Sequence, residues 1–355
     1  MITEKYAVVG MMSGTSMDGM DLVLCRFSRE KEKWHFQIEK AVTYDYSREW
    51  TANLNQAFRL PAGDFLLLHN AYGRLIGDYV SRFLKQNNIS ADLVASHGHT
   101  IFHQPEKQFT WQLGEGASIV SRCNVTTVSD FRTQDVALGG QGAPLVPVGD
   151  ELLFSHYGYC LNLGGFANVS NRREGKRIAF DICPVNIVLN ELARRTGKEF
   201  DMEGKIGRSG IPHPQLVKEL NSLEFYMQTG PKSLGREWVE KSYLPLLNKY
   251  NLPLENVMSS VYEHISVQIG SYLDLSGPGK VLVTGGGAFN NFLIEKIQSH
   301  TRSGLFIPDE QLVKFKEALI FAFLGLLRFL NETNCLASVT GAIRDSSSGV
   351  IHLRG

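Results

Sequence analysis

Hydrophobic positions fall into short blocks broken by glycine and polar turns. Tyr6 to Met12 is a nearly unbroken apolar run and reads as a buried strand. Ser13 to Gly19 interrupts it as a turn. From Met20 to Phe27 a second strand sets Met20, Leu22 and Leu24 against Asp21, Val23 and Cys25, and His35 to Tyr46 reads as a third. Two strands joined by a short polar turn form a hairpin, so the first sheet is expected to start antiparallel.

From Asp64 to Lys85 the period changes. Leu68, Tyr72, Leu75, Tyr79 and Phe83 recur at three- and four-residue spacing, one face of a helix with Asp64 as its N-cap. Asp92–Ser96 is a short strand running into His97-Gly-His-Thr100. Gly116–Cys123 reads as a helix and Val125–Phe131 as a strand. Strands alternating with helices imply parallel crossovers. Gly139-Gly-Gln-Gly-Ala-Pro-Leu-Val-Pro147 is dense in breakers and reads as a loop at a domain junction.

After that loop the pattern restarts. Strands are expected at Tyr157–Leu163, Val169–Arg172 and Arg177–Ile182, and a helix from Asn186 to Arg195. Helices at 236–249 and 254–275 come next. Val281–Thr284 is a strand ending in Gly285-Gly-Gly287, with a helix after Asn290, a strand at Leu305–Pro308 and a helix from Lys316 to Leu330. The order strand, glycine turn, strand, strand, helix thus occurs twice. The expected fold is α/β, with two lobes, each a mixed sheet with an antiparallel start and a parallel remainder, flanked by helices. The expected division is 1–145, 146–335, and a tail 336–355 that returns to the first lobe.

A chain of 355 residues suits two domains. Thirty-six basic and 36 acidic residues cancel, so no global field draws in nucleic acid or an anionic membrane. The five cysteines are scattered, with no C-x-x-C pair, which disfavours a disulfide framework or structural zinc and points to a reducing, cytoplasmic setting. The most apolar stretch, Ala318–Leu330, contains Arg328 and is too short to span a bilayer.

Three glycine turns follow strands: Gly14-Thr15-Ser16-Met17-Asp18-Gly19, Gly164-Gly165-Phe-Ala-Asn168 and Gly285-Gly286-Gly287-Ala-Phe-Asn290. Glycine lets backbone N–H groups approach an anion closely, and hydroxyls at Thr15 and Ser16 add donors. Any one could be a plain tight turn; three, two of them at equivalent places, favour phosphate binding. No Walker-type G-x-x-x-x-G-K-[ST] occurs. His97, His99 and His103 lack a carboxylate or cysteine cluster, so hydrogen bonding to substrate or to the loop is preferred to metal binding. Arg132 either binds a carboxylate through its fork or pairs with Asp130 or Asp135. Asp181 ends an apolar strand. It serves either as a general base or as a cap for the helix at Asn186. Cys183 reads as a packing residue, Glu317 as either a cleft residue or a favourable charge at a helix start, and Lys314 and Lys316 as solvated.

These segments together resemble the anhydro-N-acetylmuramic acid kinases of the hexokinase–actin–chaperone superfamily. The resemblance rests on Gly10–Asp21, Ser96–Thr100, Asp130–Arg132 with Asp135, Gly139–Pro147, Leu161–Asn168, Pro231–Glu237, Thr284–Asn290 and Thr340–Ala342. It implies an actin-like ATPase fold with ATP in a cleft between lobes, and a kinase that opens the 1,6-anhydro ring with water and phosphorylates O6 for peptidoglycan recycling. Asp181 takes the position of the base. Gly14, Thr15, Ser16, Met17, Asp18, Gly19, Met20 and Asp21 take that of the ATP loop, joined by Gly164, Gly165, Asn168 and Gly285 to Gly287. Thr100, Arg132 and Glu317 would contact the sugar, and Asp18 would stand near Mg²⁺. The implied partners are an amino sugar and ATP, with no nucleic acid and no membrane; a homodimer is compatible with the reading.

The chain departs from the family in places. Where the family has Phe-Asp-Thr-Gly-Pro-Gly-Asn, this chain has Phe180-Asp-Ile-Cys-Pro-Val-Asn186. Ile182, Cys183 and Val185 are expected to narrow the space over the substrate. His99 replaces a common glutamine and Leu234 a common threonine. The competing readings are a kinase of another sugar and an ATP-binding homologue without activity.

Overall fold

The computed structural model describes residues 4–14, 19–228, 232–275 and 277–355. Two compact units divide the chain: Met1–Phe154 with Phe315–Gly355, and Ser155–Lys314.

In the first unit, β1 (Lys5–Met12), β2 (Met20–Glu30) and β3 (Lys33–Tyr44) form an antiparallel meander. β4 (Leu93–Ser96) then pairs parallel with β1. β5 (His99–Gln104) and β6 (Phe109–Leu113) form a separate hairpin. β7 (Thr127–Ser129) is parallel to β4. The main sheet is closed by the C-terminal strand β13 (Val350–His352), giving the order β13-β7-β4-β1-β2-β3.

One face of this sheet carries Val9, Met11, Met20, Leu22 and Leu24 against Tyr72, Ile76, Val80 and Phe83 of the Ala62–Asn87 helix. On the other face the backbone of β1 meets the Glu310–Phe329 helix. A Cβ on Gly10 would stand 2.0 Å from the Ala318 carbonyl oxygen, so only glycine allows this approach.

The second unit repeats the scheme. β8 (Tyr159–Leu163), β9 (Phe166–Arg173) and β10 (Lys176–Pro184) form an antiparallel meander, and β11 (Lys280–Thr284) and β12 (Gly304–Phe306) continue the sheet in parallel from β8. The order is β10-β9-β8-β11-β12. Its core packs Leu161, Leu163, Ile182 and Val283 on Val261, Ile265 and Ile269 of the Leu254–Leu273 helix. An antiparallel start followed by parallel strands in both units is the α/β arrangement expected from the pattern.

Several elements differ from the sequence expectation. The unit boundaries lie after residues 154 and 314, not after 145 and 335. The glycine loop is tied within the first unit: Gly142 N donates to Asp135 Oδ2 at 2.7 Å and Gln141 N to Thr340 O at 2.8 Å. From there the chain runs into the Pro147–Leu153 helix, where Gly149 meets Ile320. The long helix starts at Ala62 after Pro61, with Asp64 in its first turn and not at the cap. Over 236–248 a wide turn at Val239–Tyr243 separates two short helices, the second with Pro245 in its first turn.

Gly10→Ala is expected to cost about 1–3 kcal/mol through overpacking. Thermal unfolding should show a melting temperature several degrees lower. Gly63→Ala, where nothing lies within 4 Å of the new Cβ, should leave it unchanged or slightly higher. An unaltered Gly10→Ala protein would contradict this packing.

Candidate functional site

Within the second unit one row of residues crosses four strands. Asp181 on β10 faces Asn168 on β9, Asn168 faces Asn162 on β8, and Asn162 pairs with Thr284 on β11. Neighbouring strands lie about 4.8 Å apart, so the row spans roughly 14 Å. The glycine turns Gly164-Gly165 and Gly285–Gly287 extend from the same strand ends. The second turn lies against the end of β8: a Cβ on Gly285 would stand 2.5 Å from Asn162 Oδ1, and one on Gly287 2.7 Å from Leu163 Cβ. Gly285 has a φ of +84°, in the left-handed region that glycine tolerates. Asn290 caps the Asn291–Ser299 helix through Leu293 N, 3.1 Å from its Oδ1. The Thr284 hydroxyl is buried with no partner among the described residues. Asn162 and Thr284 lie inside the segments that carry the family resemblance but are not singled out there as site residues; strand register brings them into the row.

Asp181 is half-buried. Its backbone N donates to Lys232 O at 2.9 Å, and its Oδ2 accepts from Leu234 N at 2.8 Å. No described residue donates to Oδ1. Desolvation pushes the carboxyl above its ordinary value, and the Leu234 N–H works against that shift. The reading of Asp181 as a cap falls away, because the Asn186–Arg194 helix has no side-chain cap. Leu234 acts through its backbone, so the change from threonine leaves this contact intact.

One departure has a different consequence from the one expected. A bulge between Asp181 and Cys183 turns Ile182 inward beside Cys183. Ile182, Cys183 and Val185 are all buried in the core of the unit and do not narrow the space over a substrate. Burial raises the Cys183 thiol, as suits a packing residue.

In the first unit Gly14 and Gly19 are the described rims of the first glycine turn, and Thr15, Ser16, Met17 and Asp18 lie outside the described residues. A Cβ on Gly19 would stand 2.8 Å from Tyr44 O. The Met20 side chain is fully buried in the core, so it is a packing residue and not a ligand side chain. Asp21 Oδ1 accepts from Thr43 Oγ1 at 2.6 Å. Among the described residues no group of three or more His, Cys, Asp or Glu could hold a metal ion.

Gly98, with a φ of +72°, breaks the backbone between His97 and His99 and sends the two rings to different tasks. His99 Nδ1 lies 2.9 Å from Ser13 Oγ, which lies 2.7 Å from the Tyr46 hydroxyl. Burial lowers the His99 imidazole to about 4, so it is neutral and hydrogen-bonds as an amide would. His97 donates from Nδ1 to Gly98 O at 3.0 Å, which leaves Nε2 as an acceptor. Arg132 donates to it from Nε at 3.1 Å and from Nη2 at 2.7 Å, and from Nη1 to Gly142 O at 2.7 Å. Arg132 is therefore paired with neither Asp130 nor Asp135. Burial brings its guanidinium down to about 10.

Glu317 keeps access to solvent, and its carboxyl is raised by desolvation against the pull of Arg132 and Lys316. It forms no ion pair with Arg132 among the described residues. Lys316 is buried 2.7 Å from Asp150, which corrects its reading as a solvated residue; Lys314 is exposed and pairs with Glu310. Thr100 sits half-buried on β5 opposite Gln112 and hydrogen-bonds to neither Arg132 nor Glu317. Nearby, a cavity of about 380 Å³ is lined by His97, Trp111, Glu115, Asp130 and His352 among others. Asp130 has a φ of +57°, an uncommon conformation for a residue other than glycine.

The family model described as anhydro-N-acetylmuramic acid kinase matches residues 6–354. Relatives of that name include one from Sulfurimonas denitrificans, 31% identical over 99% of this chain and 100% of its own. Others come from Photobacterium profundum, 32% identical over 99% of both chains, and Crocosphaera subtropica, 33% identical over 97% and 98%. With a full-length family match and relatives that align from end to end, the chain belongs to the anhydro-N-acetylmuramic acid kinase family.

Proposed function

We propose that the protein uses ATP to open 1,6-anhydro-N-acetylmuramic acid with water and to phosphorylate the released O6, giving N-acetylmuramic acid 6-phosphate and ADP. The observation that carries this reading is the environment of Asp181: a carboxylate partly withdrawn from water, one oxygen fixed by Leu234 N–H and the other unoccupied. The unoccupied Oδ1 orients a water and takes its proton as the water oxygen bonds to C1. The C1–O6 bond breaks, and O6 forms its bond to the γ-phosphorus of ATP as the bond from that phosphorus to the bridging oxygen breaks and ADP leaves. A raised carboxyl is the stronger base once ionised.

The glycine turns Gly164-Gly165 and Gly285–Gly287, at the ends of the neighbouring strands β8 and β11, offer backbone to cradle phosphates without a side chain in the way. Asn168 and Asn162 bridge the distance from this cradle to Asp181. ATP supplies the phosphoryl group. The described carboxylates fit Mg²⁺ only as a lightly held ion, with Asp21 and the undescribed Asp18 as candidates and phosphate and water as the main ligands. In the first unit Arg132 and Glu317 contact the sugar, and Thr100 lines its approach. With Ile182, Cys183 and Val185 turned into the core, the altered segment offers no side chain that would retune the pocket for another sugar.

No described helix is long and apolar enough to cross a membrane, and the five free cysteines suit a reducing cytoplasm.

The direct assay supplies ATP, Mg²⁺ and the anhydro sugar and follows ADP and the 6-phosphate. Asp181→Asn is expected to lower turnover by about 10²–10⁴-fold, the usual contribution of a general base, while ATP affinity stays near that of the wild type. Absence of turnover in the wild type would refute the assignment. The acid limb of kcat/KM should lie above the ordinary 3.8 of an aspartate, because the base must be ionised and burial disfavours ionisation. Leu234→Pro removes the N–H that stabilises the ionised form and should move the limb further up, whereas Leu234→Thr should leave it in place. A limb unaffected by Leu234→Pro would disconnect that hydrogen bond from the base.

A further inference from the structure

Arg132 is half-buried, and its charge is not met by any carboxylate in an ion pair among the described residues. Its partners are a neutral imidazole and a carbonyl oxygen. Glu317 acts on it only through space, without an ion pair, and a guanidinium taken out of water with no hydrogen-bonded anion is costly. Of its five N–H bonds, three are committed: Nε–H and one Nη2–H to His97, one Nη1–H to Gly142 O. The other two, one on each terminal nitrogen, remain for a ligand.

His97 fixes which two. Its Nδ1–H is spent on Gly98 O, so Nε2 faces the guanidinium only as an acceptor. It occupies the Nε edge of the fork, the edge that Asp130 or Asp135 would otherwise take. Asp135 is engaged elsewhere, accepting from Gly142 N at 2.7 Å and from Thr340 Oγ1 at 2.8 Å. Neutrality matters here. A carboxylate in place of His97 would satisfy Arg132 internally, whereas an imidazole holds it in position and leaves its charge unspent.

We propose that His97 is a positioning residue that locks Arg132 so that its two remaining N–H groups bind the lactyl carboxylate of the sugar, the group that distinguishes a muramic from a glucosamine anhydro sugar. This rests on the activity assigned above. The planar fork matches a planar carboxylate, and the orientation is set before the ligand arrives.

The test compares dissociation constants and KM for 1,6-anhydro-N-acetylmuramic acid and 1,6-anhydro-N-acetylglucosamine, which lacks the lactyl group, together with KM for ATP. Wild type should prefer the carboxylate-bearing sugar. His97→Ala should weaken that sugar by about 10–100-fold, the range of one charge-assisted hydrogen bond, mainly in KM. The glucosamine sugar and ATP should change little. His97→Gln keeps an acceptor near the Nε2 position and should restore most of the preference. In an Arg132→Met background, His97→Ala should add nothing further.

Equal weakening of both sugars, a shift confined to ATP, full additivity with Arg132→Met, or no preference in the wild type would each overturn the proposal. Turnover by the wild type with an unaltered His97→Ala enzyme would sink this role alone. A wild type without turnover on either sugar would sink the activity and this role together.

Discussion

A single backbone hydrogen bond to a half-desolvated carboxylate is the constraint on which the proposed chemistry depends. Asp181 is raised by burial and restrained by Leu234 N–H. Fuller burial would keep it protonated, and free exposure would return it to the basicity of an ordinary aspartate. The strand places it there. The bulge at Ile182 sends the next side chains into the core while Asp181 stays at the end of β10. Substitutions that look radical in the linear segment therefore lie in the core behind Asp181.

Glycine serves two separable purposes. At Gly10 it lets a strand touch a helix carbonyl, and the result is packing. At Gly285 and Gly287 it lets the turn after β11 lie against Asn162 and Leu163 at the end of β8. The polar row Asp181, Asn168, Asn162, Thr284 runs across four strands to that contact. Four contributions from four strands acquire a common direction only through register, since successive strand residues alternate faces.

This explains what could be read from the chain. The β1 and β8 strands were legible as apolar runs ending in glycine turns. Asp181 stood out as a charge closing an apolar strand. The β5–β6 hairpin was not legible, because His99 to Gln104 mixes polar and apolar residues without clean alternation and the connection carries no Asn-Gly signal. Lys316 looked solvated because its partner Asp150 lies far off in sequence. Arg132 had two sequence neighbours as natural ion-pair partners, yet the fold gives it His97, 35 residues away, and commits Asp135 to the glycine loop. Long-range pairing of polar groups has no periodicity, so it becomes visible only once the backbone is folded.

On the proposed function Asp181 activates a water and does not itself attack the sugar. The anomeric form of the first product distinguishes these. Direct attack by water on C1, opposite the departing O6 of the β-configured anhydro ring, inverts that carbon. Proton NMR in the first minutes of turnover, before mutarotation, should therefore show the α-anomer of N-acetylmuramic acid 6-phosphate. An initial β-anomer would mean two successive inversions through a covalent sugar–carboxylate, and would contradict the role assigned to Asp181.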